Sequence, residues 1–327
     1  EITDYDDNCP KDVVIPNKIN GKTVVRIGEY AFYNKQLTSV YIPDSVTSIE
    51  TYAFYYNQLT NITIPDSVIS IGYAAFASNQ LTSITIPDSV TSIETYACSN
   101  NQLTSITIPT SVTSIGYAAF NNNQLPDSEA FLYKRNADGS EDKTTIVSYG
   151  GAKRDNVVIP TGVTSIGELT FYKNQLTSIT IPSSVTSIGE MAFLENQLTN
   201  ITILDSVTSI GNAVFNDNQL PDNKAFIYKR NADGSEDKTT IVSYGGAKRD
   251  NVVIPTGVTS IGELTFYKNQ LTSITIPSSV TSIGEMAFLE NQLTNITILD
   301  SVTSIGNAVF NDNQLPDNKA FIYKRNA

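Results

Sequence analysis

The chain of 327 residues contains no histidine, which removes the usual general base, the commonest metal ligand and any imidazole switch near neutral pH. It has only two cysteines, Cys9 and Cys98, several repeats apart and beyond the short span a disulfide bridges, so no bridge is expected. No apolar run reaches the length needed to span a bilayer, so no membrane insertion is expected. Positive charge is scarce too: the formal net charge is -12 and the pI about 4.5, and residues 37–124 hold no lysine or arginine at all. A field of that sign repels nucleic acid and anionic lipid surfaces, and neither is an expected partner. Glycine-rich phosphate loops, a nucleophile elbow and metal-ligand spacings are all missing. No catalytic residue, cofactor or metal is therefore assigned. A Ser–Lys pair or paired carboxylates are the arrangements left to an enzymatic reading.

What the chain has in abundance is one sentence repeated. The string LTSITIPDSVTSIGYAAF, closed by Asn-Gln, returns with a period of about 22 residues. Clean copies begin at Leu37, Leu59, Leu81, Leu103, Leu176, Leu198, Leu271 and Leu293. A fixed period of this size predicts a β-rich solenoid whose coils each rest on their neighbours, which favours an interaction surface over a catalytic cleft. Within a coil, alternation places Ile84 and Ile86 inward and Thr85 outward on a strand that ends at Pro87. Val90 and Ile93 form a second inward pair, and a segment such as 116–120 buries an alanine and a phenylalanine on the returning side. Cys98 stands where Phe54, Phe76 and Phe120 stand in sister repeats and reads as a small buried substitute.

Asp44, Asp66 and Asp88 follow the prolines and suit a turn. Calcium shared along that column is disfavoured, because Thr110, Ser183 and Ser278 occupy it elsewhere. Asn57, Asn79, Asn101, Asn123, Asn174, Asn196, Asn218, Asn269, Asn291 and Asn313 fall in a single column, and an asparagine ladder that satisfies open backbone groups at the turn is the economical reading.

IPDSVTSIG followed by an Ala-Phe pair resembles the BspA-like class of leucine-rich repeats, whose pattern runs roughly LxxIxIPxxVxxIGxxAFxxC; here Asn-Gln stands at the family's usual turn. The resemblance covers most of the chain. It implies a leucine-rich-repeat array, a secreted or cell-surface location in the bacterial manner, and adhesion, including attachment to host matrix proteins. Binding residues do not carry over from it.

Two segments break the period. The stretch AFLYKRNADGSEDKTTIVSYGGAKRDNVVIP predicts a β-hairpin module, with strands at Phe131–Arg135 and 144–149 around a reversal beginning at Ala137-Asp138-Gly139. It returns at 226–254, and its length predicts an insertion that leaves the coils in register. On this reading the chain comprises a half-module and first coil (1–36), four repeats (37–124), a hairpin insertion (125–156), three repeats (157–219), a second hairpin insertion (220–251), three repeats (252–314) and a half-hairpin (315–327).

Residues 133–232 recur letter for letter as 228–327. A recent tandem duplication and a joined cassette explain that equally, and either favours a spacer or multivalent display over a unique active site. Residues 2–16 align with 146–160 and residues 321–327 with 131–137, so the sequence starts and stops inside a hairpin; trimming explains this, and head-to-tail completion of split hairpins between two molecules is the alternative.

Candidate binding positions come from two faces. Tyr41, Thr63, Thr85 and Thr107 point outward from the ITI strand, among small hydroxyls and amides that also simply suit an exposed strand. The hairpins are chemically richer, and Tyr133, Lys134, Arg135 and Tyr149, with the copies Lys229 and Arg230, are the candidate contacts for a protein or glycan ligand. Nearby acidic residues nearly cancel the charge, so solvated ion pairs are the plain reading of the same side chains. The function expected is non-enzymatic, weak and multivalent binding of a host matrix protein or glycan. A passive or self-assembling scaffold is the alternative, and an ice-binding solenoid, suggested by the threonine rows, a minor one.

Overall fold

The computed structural model describes residues 1–316 other than Asp7. It is a β-solenoid of about 13 turns spaced about 22 residues apart, nearly without helix. The chain divides into two compact units, Glu1–Lys153 and Arg154–Ala327. Most of the half-hairpin expected over 315–327, including the chain end at 321–327 invoked for head-to-tail association, lies outside the described residues.

Each coil contributes two extended columns. The continuous ladder is the Ser–Ile column: in the first unit Arg26–Ile27, Ser48–Ile49, Ser70–Ile71, Ser92–Ile93 and Ser114–Ile115 pair in parallel and in register. The ITI column, expected to carry the main strand, pairs less: Asp12–Val14 with Ser39–Tyr41, then single bridges joining Thr63, Thr85 and Thr107. A proline without an N–H ends most of these strands, but Leu204 and Leu299 stand in that place and residues 201–204 and 296–299 form no strand either. The side-chain directions are as expected, with Ile84 and Ile86 buried and Thr85 exposed.

Between the columns lies a thin core in which each repeat places the same side chain over its predecessor. Phe32, Phe54 and Phe76 stack with ring centroids 5.1 and 5.5 Å apart, and Phe171, Phe193 and Phe215 stack at 4.9 Å. Cys98 interrupts the first column, fully buried, and burial pushes its thiol pKa up to about 12. Both cysteines are free, and Cys9 is partly exposed. Only the thiolate attacks a disulfide reagent. At pH 8 the native protein is therefore expected to release one thiol equivalent to a chromogenic disulfide and two after denaturation; two in the native state would mean that the column opens at Cys98.

The asparagine ladder closes most coils, although the Asn269 oxygen accepts from the Asp217 N–H rather than from a leucine. The Asn101 side-chain oxygen accepts from the Leu81 N–H at 3.0 Å, while its amide donates to the carbonyls of Phe76, Cys98 and Ser99 at 3.0 to 3.2 Å. Asn57, Asn79, Asn123, Asn196, Asn218, Asn291 and Asn313 repeat the pattern. The turn they hold passes through left-handed backbone, as at Tyr52 (φ 55°) and Tyr56 (φ 59°), where such satisfaction of carbonyls offsets the strain. After the prolines, the turn bond comes from serine: the Ser45, Ser67 and Ser89 hydroxyls donate to the Val24, Val46 and Val68 carbonyls of the preceding coil.

The hairpin modules are rungs of the solenoid rather than looped-out insertions. In the second unit, strand Glu236–Tyr244 pairs in parallel with Ser260–Ile261, and Gly262 and Ala213 donate to the Ile241 and Val242 carbonyls at 2.8 and 2.9 Å. The half of that strand from Thr240 onward thus fills a Ser–Ile rung, with Ile241 and Tyr244 buried. The module supplies only part of a coil, and Asn216 spans what is left open. Its oxygen accepts from the Ser243 hydroxyl and the Tyr244 N–H, and its amide donates to the Leu264 and Tyr267 carbonyls.

Candidate functional site

The ITI face of the first unit presents Tyr41, Thr63, Thr85 and Thr107 to solvent, with Tyr41 55% exposed. Nothing charged accompanies the three threonines in their own strands, and a row of hydroxyls without an aromatic anchor binds weakly. In the second unit a groove of about 380 Å³ opens on this face, lined by Asn156, Ser178, Thr180, Asn200 and Thr202.

The hairpins are built as expected at Phe131–Arg135, while their second strand begins earlier, at Glu141. Asn136 and Gly139 close the reversal, the Gly139 N–H donating to the Asn136 carbonyl at 2.9 Å with φ 78° at the glycine. The Asp138 carboxylate accepts from the Ser140 hydroxyl and N–H, which holds its pKa below the usual value. The tip lies against the preceding coil so closely that a Cβ on Gly139 would fall 1.7 Å from the Thr110 carbonyl oxygen. In the second hairpin, Gly234 meets Asp205 in the same way.

That docking divides the candidate residues. Tyr149 is 1% exposed: its ring packs with Phe131 at 5.1 Å and its hydroxyl donates to the Lys153 carbonyl, so it belongs to the core and presents nothing to a ligand. Arg135 and Arg230 fold back beneath the turn. Their guanidinium groups donate to the Gly139 and Gly234 carbonyls at 2.8 Å, and Arg230 is buried. Both arginines brace the tip from inside, with side chains only 8% and 4% exposed, and so present little to a ligand. Lys134 and Lys229 remain exposed. Half-buried Tyr133 and Tyr228 lie beneath Lys143 and Lys238, whose ammonium groups sit 6.0 and 5.5 Å from the ring centroids. Burial, aided by Glu141, raises the Tyr133 pKa. The exposed hairpin surface is thus Tyr133, Lys134 and Lys143, present again as Tyr228, Lys229 and Lys238.

A third surface was not read from the sequence. Tyr30, Tyr33, Tyr52, Tyr55, Tyr56, Tyr73 and Tyr96 form one connected aromatic network along the Ala-Phe side of the first unit. Where tyrosines occupy the same column in successive coils the rings stack, as for Tyr30 on Tyr52 at 5.0 Å and Tyr33 on Tyr55 at 5.6 Å. Tyr73 stands one residue earlier in its repeat and meets Tyr52 edge-on at 5.2 Å. Tyr30, Tyr33 and Tyr56 are 50%, 41% and 59% exposed, whereas Tyr52 is partly buried and its pKa rises to about 12 through burial and a hydrogen bond with Tyr73. The sequence signal was available as an excess of tyrosine around the Ala-Phe pairs of residues 29–96, and a column-by-column alignment would have found it. Among the described residues no cluster of acidic or cysteine side chains is arranged to hold a metal ion, and no helix is long and apolar enough to cross a membrane.

A profile of the BspA type leucine rich repeat region matches residues 8–126, 148–227 and 243–321, in six copies. Among solved structures, a leucine-rich repeat protein from Eubacterium ventriosum is similar over 96% of this chain and 91% of its own, at 22% identity and a TM-score of 0.50. The pneumococcal vaccine antigen PcpA is similar over 98% of this chain and 82% of its own, at 19% identity and a TM-score of 0.52. A leucine rich cell surface protein from Faecalibacterium prausnitzii is 25% identical, over 91% of this chain and 88% of its own, with a TM-score of 0.42. No curated protein sequence matches.

Proposed function

Because this chain belongs to the BspA type leucine-rich-repeat family, we propose that it is a non-enzymatic interaction protein of the bacterial cell-surface type, which binds a host matrix protein or glycan weakly and many times over. Leucine-rich-repeat proteins serve protein interaction and are typically not enzymes. The observation that carries the adhesive reading is the duplicated hairpin, which presents the same tyrosine under the same lysine, with an exposed lysine beside it, once in each unit. Two weak copies on one chain raise the apparent affinity through effective concentration without any new contact.

Surface-plasmon binding to immobilised matrix glycoproteins and polysaccharides, at two salt concentrations, tests this. Saturable binding that weakens with salt, and falls at least about tenfold when Lys134 and Lys229 are both replaced by alanine, is the expected result. Binding to nothing on the panel leaves the passive scaffold as the better account. Binding indifferent to the double replacement rejects the hairpins as the contact.

A further inference from the structure

We propose that the tyrosine network of the first unit is a separate docking surface for a polypeptide rich in arginine or lysine. The second unit shows why. There the column that holds Tyr33 and Tyr55 continues as Tyr172 and Tyr267, and each is followed by a lysine whose ammonium sits over the ring, 5.2 Å from the centroid at Lys173 and 5.3 Å at Lys268. Glu195 and Glu290 hold those lysines, Glu195 at 3.2 Å from Lys173 and 3.6 Å from Lys268, and Glu290 at 3.5 Å from Lys268. The chain thus supplies its own cations to this column of rings in one unit.

The first unit carries more rings, and no lysine or arginine stands at the corresponding positions. The positions of Lys173 and Lys268 are taken by Asn34, Tyr56, Ser78, Asn100 and Asn122. Residues 37–124 contain five carboxylates and no lysine or arginine, and the nearby Lys35 is committed to Asp4 at 3.2 Å. Glu29 and Glu94, adjacent in sequence to the network, are both exposed. Exposed aromatic rings in a negative field attract a guanidinium or ammonium group by its charge and by ring contact, and arginine adds flat stacking. Tyrosine serves interfaces well because it offers large contact area with little side-chain entropy to lose. A partner's cations would take the place that Lys173 and Lys268 fill in the second unit. This inference does not depend on the hairpins.

The test titrates the whole chain with octa-arginine, and with octa-glutamate and a serine-glycine octamer as controls, following tyrosine fluorescence, which no tryptophan obscures. Selective binding of octa-arginine is expected, with hydrogen-exchange protection around residues 29–33 and 51–56. The triple variant Tyr30→Ser, Tyr33→Ser, Tyr56→Ser keeps every charge and should bind about tenfold or more weakly. The double lysine variant of the hairpins should bind as the parent does. Undiminished binding by the tyrosine variant, equal binding of a control peptide, or protection confined to other residues overturns the proposal. If the triple variant is unfolded by circular dichroism, the exchange footprint on the parent chain decides.

Discussion

Replacing Asn101 with alanine should lower stability by about 1–3 kcal/mol, since the Leu81 N–H loses its acceptor and a buried backbone group left without a partner costs that much. Asn101 is 6% exposed and serves four backbone groups in two consecutive coils; the Phe76, Cys98 and Ser99 carbonyls keep donors from Asn79, Asn123 and Ser78, whereas the buried Leu81 N–H is abandoned where no water reaches it. A solenoid has no contacts between distant coils to compensate, and weakening one interface weakens cooperation across it. Asn101→Asp should be at least as harmful: it keeps the acceptor for Leu81 but turns a second, negatively charged oxygen towards the carbonyl oxygens of Phe76, Cys98 and Ser99. Urea unfolding followed by circular dichroism measures both. A loss under about 1 kcal/mol for the alanine variant would mean that the ladder is ornament to a core already sufficient on its own.

Gly139→Ala should lift the first hairpin tip off the coil beneath it. The glycine has φ 78°, in the left-handed region, and the added methyl would fall within bonding distance of the Thr110 carbonyl oxygen. Strain and collision together should cost about 3 kcal/mol or more locally. The chain escapes by opening the reversal, which takes the Gly139 carbonyl away from Arg135. Amide exchange should then quicken over the tip and the outer strand, Phe131–Arg135, while the Ser–Ile ladder of residues 48–115 stays protected. Unchanged exchange at the tip would show that the coil yields instead. Gly234→Ala should behave alike in the second unit, where Asp205 stands in the place of Thr110.

Much of this architecture was readable because repetition amplifies weak signals. One Asn-Gln pair means little; asparagine in the same column of coil after coil requires a shared structural reason, and a ladder to backbone is the one the structure contains. The same holds for the inward isoleucines and the phenylalanine stack. The reading went astray where a property depends on what lies beside a residue rather than on its column. Tyr149 looked like a hairpin contact because it ends a strand of mixed polarity, yet that strand fills a rung and turns the ring into the core. Arg135 and Arg230 looked like surface charge, and only the docking of the tip shows their donors meeting turn carbonyls. The hairpin looked inserted because its length was counted, and counting does not reveal that half of a strand can replace half of a coil.

The sequence by itself determined the period, the inward and outward faces, the asparagine ladder and membership in a repeat family, because each follows from alternation and column identity, which are local properties multiplied by copying. Tertiary structure decided which column carries the continuous sheet, since pairing between columns exists only once the neighbouring coil is in place. It decided which hairpin side chains face solvent, and it alone assembled tyrosines from several coils into one network, because contacts between residues about 22 apart exist only after the coils have stacked.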